Sequence, residues 1–196
     1  MKKIPTLFIR EFDDNHDIKN IYNKLTDPSL DVVLQGKCIP TVKIDGSCCA
    51  IINNEFYIRY DVKHGKKPPE NGIPCCKPDP VTGHWPHWLP IDKKNKAVKW
   101  YIKAFDYSSQ LNKLSDGTYE AIGPHFNGNP YNLKQDKLYR HGSLICFDLE
   151  DYSFEGIKKY LEEHYIEGIV FWYEGQPLCK IKRSDFGFPW NINKRG

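Results

Sequence analysis

The chain has 196 residues, of which 40% are hydrophobic and 27% are charged, as is typical of one soluble globular domain. Its formal charge of +3 is mildly basic, which permits an anionic partner without requiring one. The seven cysteines are odd in number, which argues against a disulfide framework, and no apolar run has the length of a signal peptide or a membrane span. We therefore expect a cytoplasmic, reducing location.

The first two predicted elements are a strand and a helix. Residues 4–12 alternate as a strand does, with a proline tolerated near its start. Ile18, Ile21, Tyr22 and Leu25 recur at helical spacing after a cluster of acids, and Asp27-Pro28 supplies a stop signal. The pattern predicts a helix that packs on a sheet.

A strand that ends in Lys43-Ile44-Asp45-Gly46 is the most informative segment. Lys43 and Asp45 project to one side of the strand, and Gly46 allows the backbone to pass close to a ligand. A lysine amine can attack the α-phosphate of a nucleoside triphosphate. Taken alone, the same letters also describe an ordinary hairpin corner with a solvated lysine.

The next segment predicts a hairpin with arms at 48–53 and 56–61 around Asn53-Asn54-Glu55. Arg59 lies on its second arm, with Lys63 just beyond. These two cations either form a solvated strand face or bind phosphate, because a guanidinium fork matches phosphate oxygens.

Residues 68–90 hold seven of the fourteen prolines and are predicted to form one long irregular excursion. Cys75, Cys76, His84 and His87 lie within it, but their spacing matches no common zinc site. Its tryptophans either anchor the loop to the body of the protein or stack on a base.

Five lysines then surround a predicted strand at 97–105, either as a solvated face or as a contact for a nucleic-acid backbone: Lys93, Lys94, Lys96, Lys99 and Lys103. Residues 118–123 predict another strand. Its Glu120 alternates with Tyr119 and Ala121, so taken alone it would face solvent.

The last third of the chain predicts a central strand at 142–149, from its continuous apolar run, and an amphipathic helix capped by Ser153. Two further strands, 167–172 and 178–183, are joined by a turn. Lys180 and Lys182 share one face of the second strand, and a polyanion bound between them would offset their mutual repulsion.

Six motifs in series carry a resemblance to known enzymes: Lys43-x-Asp45-Gly46, Arg59, Glu120, Phe147-Asp148, Glu167-Gly168-Ile169-Val170 and Lys180-x-Lys182. Together they resemble the covalent nucleotidyltransferase superfamily, which contains ATP- and NAD-dependent polynucleotide ligases and messenger-RNA capping enzymes. A narrower resemblance, to the vertebrate-type 5′-to-3′ RNA ligase family, rests on five segments: Asp45-Gly46-Ser47-Cys48-Cys49, residues 83–90, residues 122–131, His141-Gly142 and Ile166-Glu167-Gly168-Ile169-Val170. Lys182, by contrast, is closer to the phage-type RNA ligases.

The resemblance implies an α+β fold: a nucleotidyltransferase (ATP-grasp-like ligase adenylation) domain, in which two antiparallel β-sheets are flanked by helices and hold the nucleotide site between them. We expect a single RNA ligase adenylyltransferase domain over 1–196. Only a short segment follows Lys182, without room for an oligonucleotide-binding barrel, which favours RNA ligation over DNA ligation or capping.

The resemblance also implies that Lys43 is the lysine adenylylated by ATP, with Val42, Asp45 and Gly46 beside it in the nucleotide site. The other implied roles are Arg59 on the triphosphate or acceptor phosphate, Glu120 on the ribose, Phe147 on adenine, Glu167 and Asp45 at a hydrated Mg²⁺ or Mn²⁺, and Lys180 and Lys182 on the α-phosphate and pyrophosphate. The expected partner is RNA with 5′-phosphate and 3′-hydroxyl ends, in RNA repair. Two alternatives stay open: a GTP-using capping-type transferase, and a non-catalytic module that binds RNA ends or nucleotides.

Overall fold

The computed structural model describes residues 3–80 and 82–191. These residues form eleven strands in three sheets, with antiparallel pairing throughout, and three α-helices. The predicted α+β class is therefore confirmed. The chain divides into two compact units, which we name by their largest sheets: the three-stranded unit (4–44 and 142–191) and the six-stranded unit (45–141, with Lys3).

The three-stranded unit contains two sheets and two α-helices. A hairpin pairs β1 (Phe8–Phe12) with β2 (Ile18–Leu25), and α1 is the short helix Asp31–Leu34. The main sheet has the order β11-β10-β3, from β3 (Ile39–Lys43), β10 (Gly168–Tyr173) and β11 (Gln176–Lys182). Its core packs this sheet against α3 (Phe154–Glu163) and includes Leu7, Phe8, Ile157, Leu161, Ile169, Phe171 and Ile181.

Helix α3 confirms its predicted start. The side chain of Ser153 accepts a hydrogen bond from the amide of Gly156 at 3.1 Å, which satisfies one of the free donors of the first turn. At the other end of the helix, Arg183 is only 9% exposed and donates to the carbonyls of Leu161, Glu162 and His164. The guanidinium of Arg183 therefore caps the C-terminal turn of α3, although it is distant from that helix in sequence.

We expect Arg183→Met to lower the free energy of unfolding by about 3 kcal/mol, because it keeps the side chain's bulk but removes a buried charged donor from several carbonyls. Urea denaturation measures this change. Lys159→Met, at an exposed site on the same helix, is the control and should change stability by less than about 0.5 kcal/mol. A comparably small effect of Arg183→Met would contradict the capping role.

The six-stranded unit is built on one antiparallel sheet of order β6-β7-β5-β4-β8-β9. Its elements are β4 (Ser47–Ile52), β5 (Glu55–Val62), β6 (Ile73–Pro74), β7 (Trp85–Pro90), α2 (Lys99–Leu111), β8 (Gly117–Ile122) and β9 (Lys137–Arg140). Cys49, Tyr119, Ala121 and Phe126 form part of the core beneath α2.

The predicted β4–β5 hairpin is confirmed. Asn53 and Asn54 form its loop with φ values of 52° and 63°, the left-handed conformation that a two-residue hairpin loop requires. Asp116 accepts hydrogen bonds from both of their amides, at 2.7 and 3.1 Å. The predicted strand at 118–123 is also confirmed, as β8.

The helix predicted around residues 18–25 is wrong, because this segment is β2. The pairing of β1 with β2 has two register shifts, so that Phe8 faces Leu25 and Arg10 faces Ile21. An extra residue at a β-bulge turns the following side chains to the other face. Bulges therefore gave the apolar residues of a strand the spacing of three and four that normally indicates a helix.

The strand predicted at 97–105 is also wrong, since α2 begins at Lys99 after a 3₁₀ turn at Lys96–Val98. Ala104 and Ser108 are buried one helical turn apart, while Trp100, Tyr101 and Phe105 pack beside them. Tertiary packing of this face decides the conformation here, because the local apolar pattern fits both periods.

The apolar run at 142–149 is not a central strand. Its backbone contacts β3 through only two hydrogen bonds and one isolated bridge. The amide of Val42 donates to the carbonyl of Leu144, and the amide of Cys146 donates to the carbonyl of Pro40. Cys146 and Leu149 are buried, but the residues between Gly142 and Asp148 otherwise leave apolar surface exposed. The continuous run of apolar residues therefore forms a loop with exposed hydrophobic side chains, and not a strand that is buried on both faces.

The excursion at 68–90 is not irregular throughout, because it contains β6 and β7, and β7 pairs with β5 along its whole length. The carbonyl of Pro86 accepts from the amide of Cys75 on the β6 side. The missing donors of Pro86 and Pro90 therefore point away from β5 and leave the ladder to β5 intact.

No helix among the described residues is long and apolar enough to cross a membrane.

Candidate active site

Lys43 lies at the end of β3, in the three-stranded unit. Its Nζ donates to Oε2 of Glu167 at 2.6 Å, and Nζ of Lys182 lies 3.2 Å from Oε1 of the same carboxylate. Glu167 is only 6% exposed. One buried carboxylate therefore joins the predicted nucleophile to the second lysine of the predicted pair.

The sheet topology explains why these three side chains meet. Gly168 begins the central strand β10 and pairs with Lys43 of β3 on one side and with Lys182 of β11 on the other. Glu167, one residue earlier, thus lies between the two strands that carry the lysines. A Cβ at Gly168 would lie 2.2 Å from the carbonyl oxygen of Ile181, so the strands approach too closely for any side chain.

We expect Gly168→Ala to lower the free energy of unfolding by about 1–3 kcal/mol, because the added methyl group must push β11 away from β10. The same displacement would separate Lys182 from Glu167. Thermal or urea denaturation measures the loss of stability. Changes in the NMR chemical shifts of the β11 backbone amides would report the displacement of that strand. A variant as stable as the parent, with its spectrum unchanged, would contradict this packing.

Lys180 and Lys182 follow each other on one face of β11, as the alternation predicted. The backbone of Lys180 bonds to Pro5 and Leu7, and the amide of Lys182 donates to Oδ2 of Asp185 at 2.9 Å. Asp185 is fully enclosed and also accepts from Arg10 at 3.1 Å. The roles of Arg10 and Asp185 could not be predicted from the sequence, because their pairing spans 175 residues and no local pattern indicates it.

Phe147 is 85% exposed on the loop beside β3. The next residue, Asp148, accepts from the hydroxyl of Tyr160 at 2.8 Å and lies 2.9 Å from Nε2 of His164. The Tyr160 hydrogen bond holds the pKa of the Asp148 carboxyl below its usual range. An exposed aromatic ring is thus attached to an anchored segment, an arrangement suited to stacking on a planar ligand.

Val42, also a predicted nucleotide contact, packs at the edge of the core.

In the six-stranded unit, Asp45 and Gly46 lie in a close-packed turn. The amide of Asp45 donates to the hydroxyl of Tyr131 at 2.7 Å, and Asn127 Nδ2 donates to the Asp45 carboxylate at 2.8 Å. A Cβ at Gly46 would lie 2.3 Å from the carbonyl oxygen of Ala121. The turn that contains Asn127 and Tyr131 therefore supports the predicted motif through side chains that no sequence motif had indicated.

Glu120 does not face open solvent, as its position on β8 alone had suggested. Its Oε2 lies 2.7 Å from Nε2 of His141, and its side chain is 12% exposed. The other ring nitrogen of His141 lies 2.9 Å from Oγ1 of Thr118, which orients the imidazole. Cys48 lies opposite Glu120 on β4, and burial, with a contribution from the Glu120 charge, raises the pKa of its thiol to about 12.

Cys48, Glu120 and His141 are the only group of three or more potential metal ligands within the described part of the chain, with ligand atoms inside 4.8 Å of one another. The cysteines and histidines of the 68–90 segment do not form such a group. His84 instead lies 3.6 Å from Asp61, which also accepts from Nε of Arg59 at 2.9 Å.

Comparisons with known proteins agree with the motifs. A family model described as RNA ligase 1 matches residues 108–195. The RNA ligase 1 proteins of Pongo abelii and Rattus norvegicus are 24% and 26% identical to this chain, over 97% of the chain and 82% of each relative. The RNA ligase 1 of Danio rerio is 31% identical over 63% of the chain and 46% of the relative. These matches confirm the resemblance of this chain to RNA ligases.

Proposed function

We propose that the protein is an ATP-dependent RNA ligase that joins 5′-phosphate and 3′-hydroxyl RNA ends, with Lys43 as the residue that carries AMP. The observation that carries this proposal is the contact of Lys43 and Lys182 with the one buried carboxylate of Glu167. These contacts support the proposal because they hold an amine, a carboxylate that can accept its proton and a second cation together. The relatives named RNA ligase 1 support ligation as the reaction class. We assign the chain a nucleotidyltransferase fold on the same grounds.

In the first step, the Lys43 amine attacks the α-phosphorus of ATP. The new N–P bond replaces the bond between that phosphorus and the bridging oxygen, and pyrophosphate leaves. Lys43 must lose a proton for this attack, and Oε2 of Glu167, 2.6 Å from Nζ, is within reach to accept it. AMP then passes to the 5′-phosphate of the RNA, and the 3′-hydroxyl displaces AMP to form the phosphodiester.

Lys180 and Lys182 supply the positive charge that these steps require. When the Lys43 proton moves to Glu167, the carboxylate no longer holds Lys182 as an ion pair, and the ammonium is released toward the phosphates. Lys180 lies on the same face of β11. We therefore propose both lysines as ligands of the α-phosphate and the departing pyrophosphate.

The proposed cofactor is Mg²⁺, with Mn²⁺ as an alternative. Mg²⁺ sites in nucleotide enzymes combine one or two carboxylates with substrate phosphates and water. While it is ionised, before it takes the Lys43 proton, Glu167 would fit as such a ligand for a hydrated metal that arrives with ATP, because its buried carboxylate binds cations in this structure. Asp45 is the second candidate. The metal would neutralise charge on the phosphates during displacement.

The other proposed roles follow the family motifs. Phe147 would stack on adenine, Glu120 would bind the ribose with His141 orienting its carboxylate, and Arg59 would bind the triphosphate or the acceptor phosphate. Val42 and Gly46 would shape the nucleotide site beside Lys43. We propose RNA repair in the cytoplasm as the setting.

Intact-mass measurement after incubation with Mg²⁺ and ATP, GTP or NAD separately tests the proposal. We expect a gain of one AMP with ATP alone. A GMP adduct would instead identify a capping-type transferase. No adduct with any nucleotide, in protein purified free of AMP, would identify a module that binds nucleotides or RNA ends without catalysis.

A further inference from the structure

A second cluster of positive charge lies on α2, in the six-stranded unit. Between residues 93 and 103 the chain carries five lysines and no acidic residue. All five side chains are exposed: Lys93, Lys94, Lys96, Lys99 and Lys103. Lys99 and Lys103 are one helical turn apart, so they share a face of α2. We call these five residues the lysine face.

Two of these lysines are ordered by an aromatic platform. The ammonium groups of Lys99 and Lys103 lie 4.4 and 4.7 Å from the ring centroid of Trp100, at cation–π distance. The indole stacks on the imidazole of His125, with ring centroids 3.2 Å apart and planes within 11°. His125 is held in turn by Asp136, whose carboxylate lies 2.7 Å from Nδ1 and accepts from the amide of His125 at 3.1 Å.

Asp136 is only 7% exposed, so the aromatic platform is supported by a buried residue of the six-stranded unit. Like charges one helical turn apart repel each other by a few tenths of a kcal/mol. Within the described residues, no carboxylate lies within 4.0 Å of either ammonium group. The arrangement therefore places two ordered cations side by side where an external polyanion can reach both.

We propose that the lysine face binds the phosphodiester backbone of RNA, with Lys99 and Lys103 as its principal contacts. The identification of the polyanion as RNA rests on the function proposed above. A cation–π contact at an exposed site is weak, about 0.5–1 kcal/mol, so each ammonium group can exchange the ring for a phosphate at little cost. Contacts to phosphate carry no sequence information, so this surface holds RNA irrespective of its sequence.

The test compares Lys99→Ala/Lys103→Ala with a matched control, Lys158→Ala/Lys159→Ala, which removes the same charge from α3. Binding of a 5′-phosphorylated single-stranded RNA is measured by fluorescence anisotropy at several salt concentrations. We expect the first double variant to bind about 5- to 20-fold more weakly, and the slope of log K against log salt to fall by about 1.4, the value for two phosphate contacts on a single strand. The control should bind like the parent.

Formation of the AMP adduct without RNA is measured on the same proteins and should be unchanged in both. This separates the two proposals, because a parent protein that binds RNA through the lysine face but forms no adduct would contradict only the proposed chemistry. Lys99→Arg/Lys103→Arg keeps the charge and should retain binding, which distinguishes lost charge from a damaged helix.

Two results would overturn the inference. One is RNA binding by the Lys99→Ala/Lys103→Ala variant with the affinity and salt slope of the parent. The other is that the Lys99→Ala/Lys103→Ala variant no longer binds polyglutamate, used as a model of an acidic protein, but still binds RNA as the parent does. The second result would assign the lysine face to a protein partner.

Discussion

Replacement of Lys43 by alanine or arginine is expected to reduce formation of the AMP adduct by about 10³-fold or more, to background. Alanine removes the proposed nucleophile. Arginine keeps a cation beside Glu167 but offers a guanidinium that cannot be deprotonated in a protein, so it separates nucleophilicity from charge. Intact mass after incubation with ATP and Mg²⁺ measures the adduct, and peptide mapping of the parent should locate AMP on Lys43.

Lys37→Ala is the control for this experiment, because Lys37 is an exposed lysine of the same unit and should leave the adduct at the level of the parent. Persistence of the adduct in both Lys43 variants, or its location on another lysine, would refute the assignment. Denaturation of each variant should show that the unit remains folded.

The second large effect is expected from Glu167→Gln. The amide keeps the shape of the side chain but can neither accept the Lys43 proton as a base nor balance two ammonium groups. We expect the adenylylation rate to fall by about 10²- to 10⁴-fold, the usual contribution of a positioned general base. We also expect a loss of about 1–3 kcal/mol of stability, from weakened hydrogen bonds to charged groups.

The pH dependence separates these two roles of Glu167. If the carboxylate accepts the proton, the residual rate of Glu167→Gln should rise with pH more steeply than that of the parent, because hydroxide must replace the base. Glu162→Gln, at an exposed site on α3, should behave like the parent in rate and stability. Equal pH profiles for parent and Glu167→Gln would leave Glu167 with only a charge-balancing role.

Much of the local structure around Lys43, Glu167 and Lys182 could be predicted from the sequence, because the strands and turns that carry these residues have local sequence signals. The hairpin of β10 and β11 could be predicted from two strand-like runs around Glu174-Gly175, whose φ values of 49° and 75° suit a tight turn. The spacing of Lys180 and Lys182 placed both on one face of a strand. Glu167 came from the motif order, whereas the geometry that joins it to Lys43 and Lys182 depends on the pairing of β10 with two neighbouring strands.

Other features depended on contacts that no local pattern indicates. The bulges in β2 arise from its pairing with β1, so the spacing of Ile18, Ile21 and Leu25 was misleading. The burial of Glu120 is due to His141, which follows a strand on the far side of β8. Likewise, the lysines of α2 gained an ordered arrangement only through Trp100 and its stacking on His125.

The most direct test of the central proposal is a chase of the AMP adduct. Protein is adenylylated with labelled ATP, freed of nucleotide, and mixed with a 5′-phosphorylated RNA that also offers a 3′-hydroxyl end. We expect the label to leave Lys43, to appear on the RNA 5′ end and then to be released as AMP while the RNA ends are joined. An adduct that stays on the protein, or that is lost to water with the RNA unchanged, would contradict it.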